Sequence, residues 1–188
     1  MDLVNLENIL FNKDGFIFSR IKKNQYKLEF TIENNNIILA KIIDFSLIKL
    51  IYDLNPDVYE KVNIENLDSE KNEVIATLLM KHFFEDLGLP QRFSFIHIKK
   101  IIEENRTIFK SQSIKSHRPE GMPKDAELMS IQDLTCICDI ITQHKINFTT
   151  NIIFDTTMNI PPFAEKLVGI ILNKIFKRLK QFIENVRI

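Results

Sequence analysis

The chain has no Trp, only 4 Gly and 2 Cys, and no net charge, and each shortage removes a class of function. The few Gly fall outside any dinucleotide or phosphate-loop spacing, so no segment offers the close backbone approach those motifs give a phosphate. A nucleophile elbow is also missing. Twenty-five basic residues against 25 acidic ones remove the simplest electrostatic argument for nucleic acid as the main partner. No run approaches the roughly 20 apolar residues that span a bilayer. The start, Met1-Asp2-Leu3-Val4-Asn5, has neither a basic region nor the apolar stretch of an export signal. The expectation is a cytoplasmic protein without a transmembrane span.

Cys136 and Cys138 stand two apart on a predicted strand, so both face one way, and a disulfide across so short a loop would be strained. Reduced thiols are expected. None of His82, His97, His117 and His144 combines with Cys, Asp or Glu at structural-zinc spacing. With no nucleophile and base pairing either, the expectation is no catalytic residue, no metal and no cofactor.

What is present is core material: 188 residues, 45% hydrophobic, with 15 Phe, enough for a single domain over 1–188. The clearest signal is an amphipathic helix over 161–188. Phe163, Leu167, Ile171, Ile175, Leu179, Phe182 and Val186 recur at steps of three and four, widened by Val168, Ile170, Phe176 and Ile183. Pro161 and Pro162 suit its first turn, where a missing N–H costs nothing, and Asn159 is near enough to cap it. Six basic residues against two acidic ones give this segment +4, so the rest of the chain carries −4 and the helix presents a basic outer face.

Strands are expected at 16–21, 26–33 and 37–43. In the second, Tyr26, Leu28, Phe30 and Ile32 alternate with Lys27, Glu29, Thr31 and Glu33, giving one buried and one wet face. Lys27, Glu29 and Glu33 would suit a tunnel that holds metal and phosphate only if their face pointed inward, and no other strand supplies matching carboxylates. Phe45, Ile48, Leu50, Ile51 and Leu54 predict a short helix ending before Asn55-Pro56. A second helix is predicted from an N-cap at Ser69 through Val74, Ile75, Leu78, Leu79, Phe83 and Leu87, stopped by Gly88 and Pro90. Strands resume at 93–102, 107–114, 128–141 and 145–154, with a Pro- and Gly-bearing loop at 115–125.

The sum is an α+β domain, an antiparallel β-sheet of about seven strands wrapped on a long C-terminal helix, with two helices inserted in the middle. This order resembles the helix-grip superfamily, which includes the START lipid-transfer domains, the Bet v1 proteins and the polyketide cyclases. The residues behind the resemblance are Phe84-Glu85-Asp86-Leu87-Gly88-Leu89-Pro90, ending the central helices, and Ile160-Pro161-Pro162-Phe163, leading into the last one. Three strands are expected before the helix pair and four after, where the family usually has one and six.

The resemblance implies a cavity between sheet and helix, lined by apolar side chains and able to hold a lipid or other apolar small molecule. Phe30, Phe148, Phe163, Leu167 and Ile171 are the candidate lining, with His117 and Arg118 of the 115–125 loop at the mouth. In a solid core the same apolar residues would pack together, and periodicity does not separate the two. Lys174, Lys177, Arg178 and Lys180 form a candidate surface for an acidic membrane or protein partner. The leading expectation is non-enzymatic binding or transfer of an apolar ligand. The alternatives are a protein-interaction or assembly subunit with a solid core and, behind both, a cyclase-type enzyme.

Overall fold

Ten strands and two α-helices make up the computed structural model, which describes residues 8–68, 70–83, 85–158 and 160–187. The caps predicted at Ser69 and Asn159, and the reading of residues 1–5, lie outside the described residues. The strands are β1 (Asn8–Lys13), β2 (Phe16–Lys22), β3 (Gln25–Glu33), β4 (Tyr59–Asp68), β5 (Glu73–Met80), β6 (Arg92–Glu103), β7 (Arg106–Ser113), β8 (Glu127–Leu128), β9 (Ile131–Thr142) and β10 (Lys145–Phe154). The helices are α1 (Phe45–Asp53) and α2 (Pro162–Asn185).

One sheet holds all the strands, in the order β1-β2-β3-β10-β9-β7-β6-β5-β4, with the short β8 pairing parallel to β6 and every other neighbour antiparallel. Hairpins generate most of this order. At the first, Asp14 and Gly15 both have positive φ, 57° and 80°, as a tight two-residue turn between right-twisted strands requires. Between the first three strands and the last one the chain crosses back, so β10 pairs with β3 along its whole length, from Lys145 opposite Glu33 to Ile153 opposite Gln25.

Three expectations are corrected. The sheet has ten strands rather than about seven. The second central helix does not form: its residues make β5 and a short 3₁₀ turn at Glu85–Leu87. Val74, Ala76 and Leu78 are buried on one face of β5 and Leu79 on the other, and a strand covered on both sides has no alternation to distinguish it from a helix. The third early strand is also absent. Asn34 Oδ1 accepts from the Asn36 backbone N–H at 2.8 Å, and the turn so made diverts the chain into a 3₁₀ segment, Leu39–Ile42. The first helix forms as expected, with the Asp44 carboxylate accepting from Ser46 N–H at 2.8 Å.

α2 packs on β1 and β3, and α1 touches both α2 and β4, so the helices close one face of the sheet from edge to edge. Ile175, Leu179 and Ile183 are at most 4% exposed, and burying each stabilises the fold by about 1.5–3 kcal/mol. In its first half the helix is rotated by one position from the predicted stripe: Ala164 and Gly169 are buried, while Phe163 and Ile170 are about half exposed. Gly169 sets that rotation. A Cβ there would lie 2.9 Å from Cδ1 of the buried Phe18 ring and 3.3 Å from Cβ of Phe11.

Buried Asn side chains anchor the helix within the fold. Asn24 Nδ2 donates to the carbonyls of Asp155 and Met158, both at 2.9 Å, fixing the segment that leads into α2. Asn34 Nδ2 donates to Ile183 O at 2.6 Å and Val186 O at 3.0 Å, satisfying carbonyls that the helix end leaves open. Asn55, fully buried, donates to Ile51 O at 2.7 Å, more weakly to Ile175 O, and accepts from Arg178 at 3.0 Å, which locks α1 to α2.

Candidate functional site

Alternation along the central strands puts one set of side chains under α2. Tyr26 and Leu28 of β3, Phe148, Thr150 and Ile152 of β10, Cys136 and Cys138 of β9, Ser111 of β7 and Ser94 and Ile96 of β6 share this face and line a cavity of about 360 Å³. Ala164, Val168 and Leu172 of α2 and Leu47 and Ile51 of α1 complete the wall, which is almost wholly apolar. Sites for small organic molecules occupy roughly 300–1,000 Å³, so the volume suits a small ligand.

The floor is aromatic. Phe30 stacks on Phe148 with ring centres 4.8 Å apart, and Phe16 and Phe176 lie 4.9 and 5.1 Å from Phe30. Phe148 and Phe176 line the cavity, while Phe30 supports them from behind. The core is therefore packed at one end of the sheet and open at the other.

The cavity extends to the end of the sheet where β5 and β10 stop. Residues 81–83 and 89–91, which follow β5, and Met158, Ile160 and Pro161, which precede α2, meet the cavity there beside Tyr52 and Tyr59. The two Tyr rings meet edge-on at 5.0 Å. Burial raises both phenols above their ordinary pKa, so they stay protonated. His82 Nε2–H donates to Leu89 O at 2.6 Å and ties these two stretches together. Phe83 and Leu87 are 42% and 57% exposed.

Of the candidate lining, Phe148 and Ile171 face the cavity, Phe30 backs it, and Phe163 and Leu167 stand outside the lining. His117 and Arg118 sit on the opposite face of the sheet. Along β6, Ser94 and Ile96 point into the cavity, whereas Phe93 and Phe95 point away and form a small second core with Leu79 and Ala126. Arg118 lies over the Phe93 ring at 4.8 Å, and His117 meets Phe95 edge-on at 5.1 Å. The 115–125 loop covers that second core.

Lys174, Lys177, Arg178 and Lys180 are each paired. Lys174 and Arg178 converge on Asp57, Lys177 meets Asp14 at 2.8 Å and Lys180 meets Glu184 at 2.9 Å. Hydrogen bonds from Arg178 and then Lys174 hold the Asp57 carboxyl far below the usual carboxylate range. Sequence reasoning missed Asn34, Asn55 and Glu165. Glu165 occupies the first turn of α2, where a carboxylate complements the helix dipole, and nothing in its spacing marks it as buried.

Among the described residues no group of three His, Cys, Asp or Glu side chains is placed to hold a metal ion. Hydrogen bonding to Cys136 and burial push the Cys138 thiol far above its ordinary pKa, which keeps it protonated. No helix of the described residues is long and apolar enough to cross a membrane.

An antiparallel sheet closed by a long C-terminal helix over an apolar cavity is the helix-grip architecture. Solved structures similar to this chain include StAR-related lipid transfer proteins. The human StarD13 lipid transfer and protein localization domain superposes with a TM-score of 0.66 at 12% identity, over 94% of this chain and 88% of that one. Human StAR-related lipid transfer protein 5 gives 0.64 at 14% identity, over 97% and 90%. A STAR-related lipid transfer protein from Xanthomonas axonopodis gives 0.61 at 10%, over 94% and 97%. At these identities the likeness is one of fold. No protein-family model matches the sequence, and no curated protein matches it.

Proposed function

We propose that this chain is a cytoplasmic, non-enzymatic carrier that binds and exchanges an apolar small molecule or lipid in the cavity beneath α2. The observation that carries the reading is the cavity itself, about 360 Å³ with an almost wholly apolar wall, reaching one end of the sheet. Transfer of apolar surface out of water supplies the affinity, at roughly 25 cal/mol per Å² buried. The reading draws support from the fold it shares with domains named for lipid transfer. An assembly subunit with a solid core would have no use for such a wall.

Native mass spectrometry of the purified protein, followed by organic extraction, tests this. A discrete apolar compound released at near-stoichiometric amount is expected. A bare mass that stays unchanged after incubation with a lipid extract would overturn the proposal.

A further inference from the structure

Glu165 is the one charged residue among the described residues whose side chain is buried, at 7% exposure, and it lies on the cavity wall. Two donors hold it. Arg20 Nη1 donates to Oε2 at 3.0 Å, and the Tyr26 hydroxyl donates to Oε1 at 2.7 Å. Arg20 reaches in from the rim, its side chain 36% exposed, and is not part of the cavity lining; Tyr26 and Glu165 are. Burial, then the hydrogen bond to Glu165, raises the Tyr26 phenol, so it stays protonated and keeps donating.

We infer that the cavity is built for an amphipathic ligand with a neutral hydrogen-bond donor, a hydroxyl, at one end, which docks on the Glu165 carboxylate. The inference rests on the cavity reading above and adds the chemistry of the ligand's polar end. A carboxylate accepts about four hydrogen bonds, and Arg20 and Tyr26 use two, leaving acceptor capacity on both oxygens. Arg20 supplies the opposite charge that a carboxylate in an apolar wall requires. Ala164 and Val168 beside it offer a ligand no competing polar group. An anionic head docked on Glu165 would meet a second negative charge, with Arg20 already paired to the first. If Glu165 only tied α2 to β2 and β3, replacing its carboxylate would leave any preference for a donor on the ligand unchanged.

The test is displacement of the neutral fluorophore N-phenylnaphthylamine by dodecanol and by dodecyl methyl ether, which share an apolar body but differ in the O–H. The alcohol should compete about tenfold better, the worth of one hydrogen bond to a charged group. In Glu165→Gln, which keeps an acceptor for Tyr26 but loses the charge, the ratio should fall to about threefold, because a neutral acceptor binds roughly half as strongly. Equal competition in the parent protein overturns the inference while leaving the cavity reading intact, and so does an unchanged ratio in the folded variant. Should Glu165→Gln not fold, the parent ratio decides alone. No saturable uptake of the fluorophore overturns the cavity reading and this inference with it.

Discussion

Single side chains set the position of α2 more than its apolar stripe does. Asn55 is fully buried and serves both helices, so Asn55→Ala leaves the Ile51 carbonyl unpartnered and removes one acceptor from Arg178. Urea unfolding should show a loss of about 1–3 kcal/mol. Asp57 behaves differently, because its side chain is 41% exposed and solvent screens its pairs with Lys174 and Arg178. Its folded pKa is depressed, so its contribution is present above the unfolded value of about 3.9 and is lost as pH falls toward the folded value. Asp57→Asn should therefore cost less than about 1 kcal/mol at neutral pH, and the gap to the parent should close below about pH 4 in acid titrations of stability. A gap that persisted into acid would place the effect in packing instead. Asn24, Asn34 and Asn55 were invisible in a chain with 17 Asn, since a polar residue shows its partners only after the chain has folded.

The elements divide by how much their sequence constrains them. β3 alternates cleanly and its faces follow, with Tyr26, Leu28, Phe30 and Ile32 all buried. α2 is legible as a helix but not in rotation, because apolar residues at 163, 167, 168, 170, 171 and 172 allow several faces to turn inward. Close packing of Gly169 on Phe18 selects one, which turns Glu165 toward the cavity and Phe163 toward solvent. Gly169→Leu should therefore destabilise by about 1–3 kcal/mol through overpacking, even though leucine favours helix more than glycine does. A rise in melting temperature would show that α2 sits farther from β2 than the geometry here requires. β6 was legible as a strand, but with Phe93, Phe95, Ile96 and Ile98 all buried the sequence does not say which parity faces the cavity. That ambiguity put the expected mouth at His117 and Arg118, on the wrong side of the sheet from the cavity.

At the scale of the whole molecule, a strand-rich chain ending in a long amphipathic helix was enough to suggest a sheet gripping a helix, and the resemblance to the helix-grip superfamily holds at the level of fold. Whether the space between them is filled was not legible, because an aromatic side chain packs a core or lines a cavity with the same periodicity. Both outcomes occur here: Phe16, Phe30, Phe148 and Phe176 pack the floor, and the cavity extends from them to residues 81–83 and 89–91. The central claim is that this space takes up an apolar molecule. It is tested most directly by titrating N-phenylnaphthylamine into the parent protein and into a variant carrying Val168→Trp and Ser111→Phe, which narrows the cavity from opposite walls. Saturable uptake at one molecule per chain in the parent, with at least a tenfold loss in a variant that keeps its melting transition, is the predicted result, a difference of about 1.4 kcal/mol or more. Equal uptake by both proteins would place the fluorophore elsewhere and contradict the account.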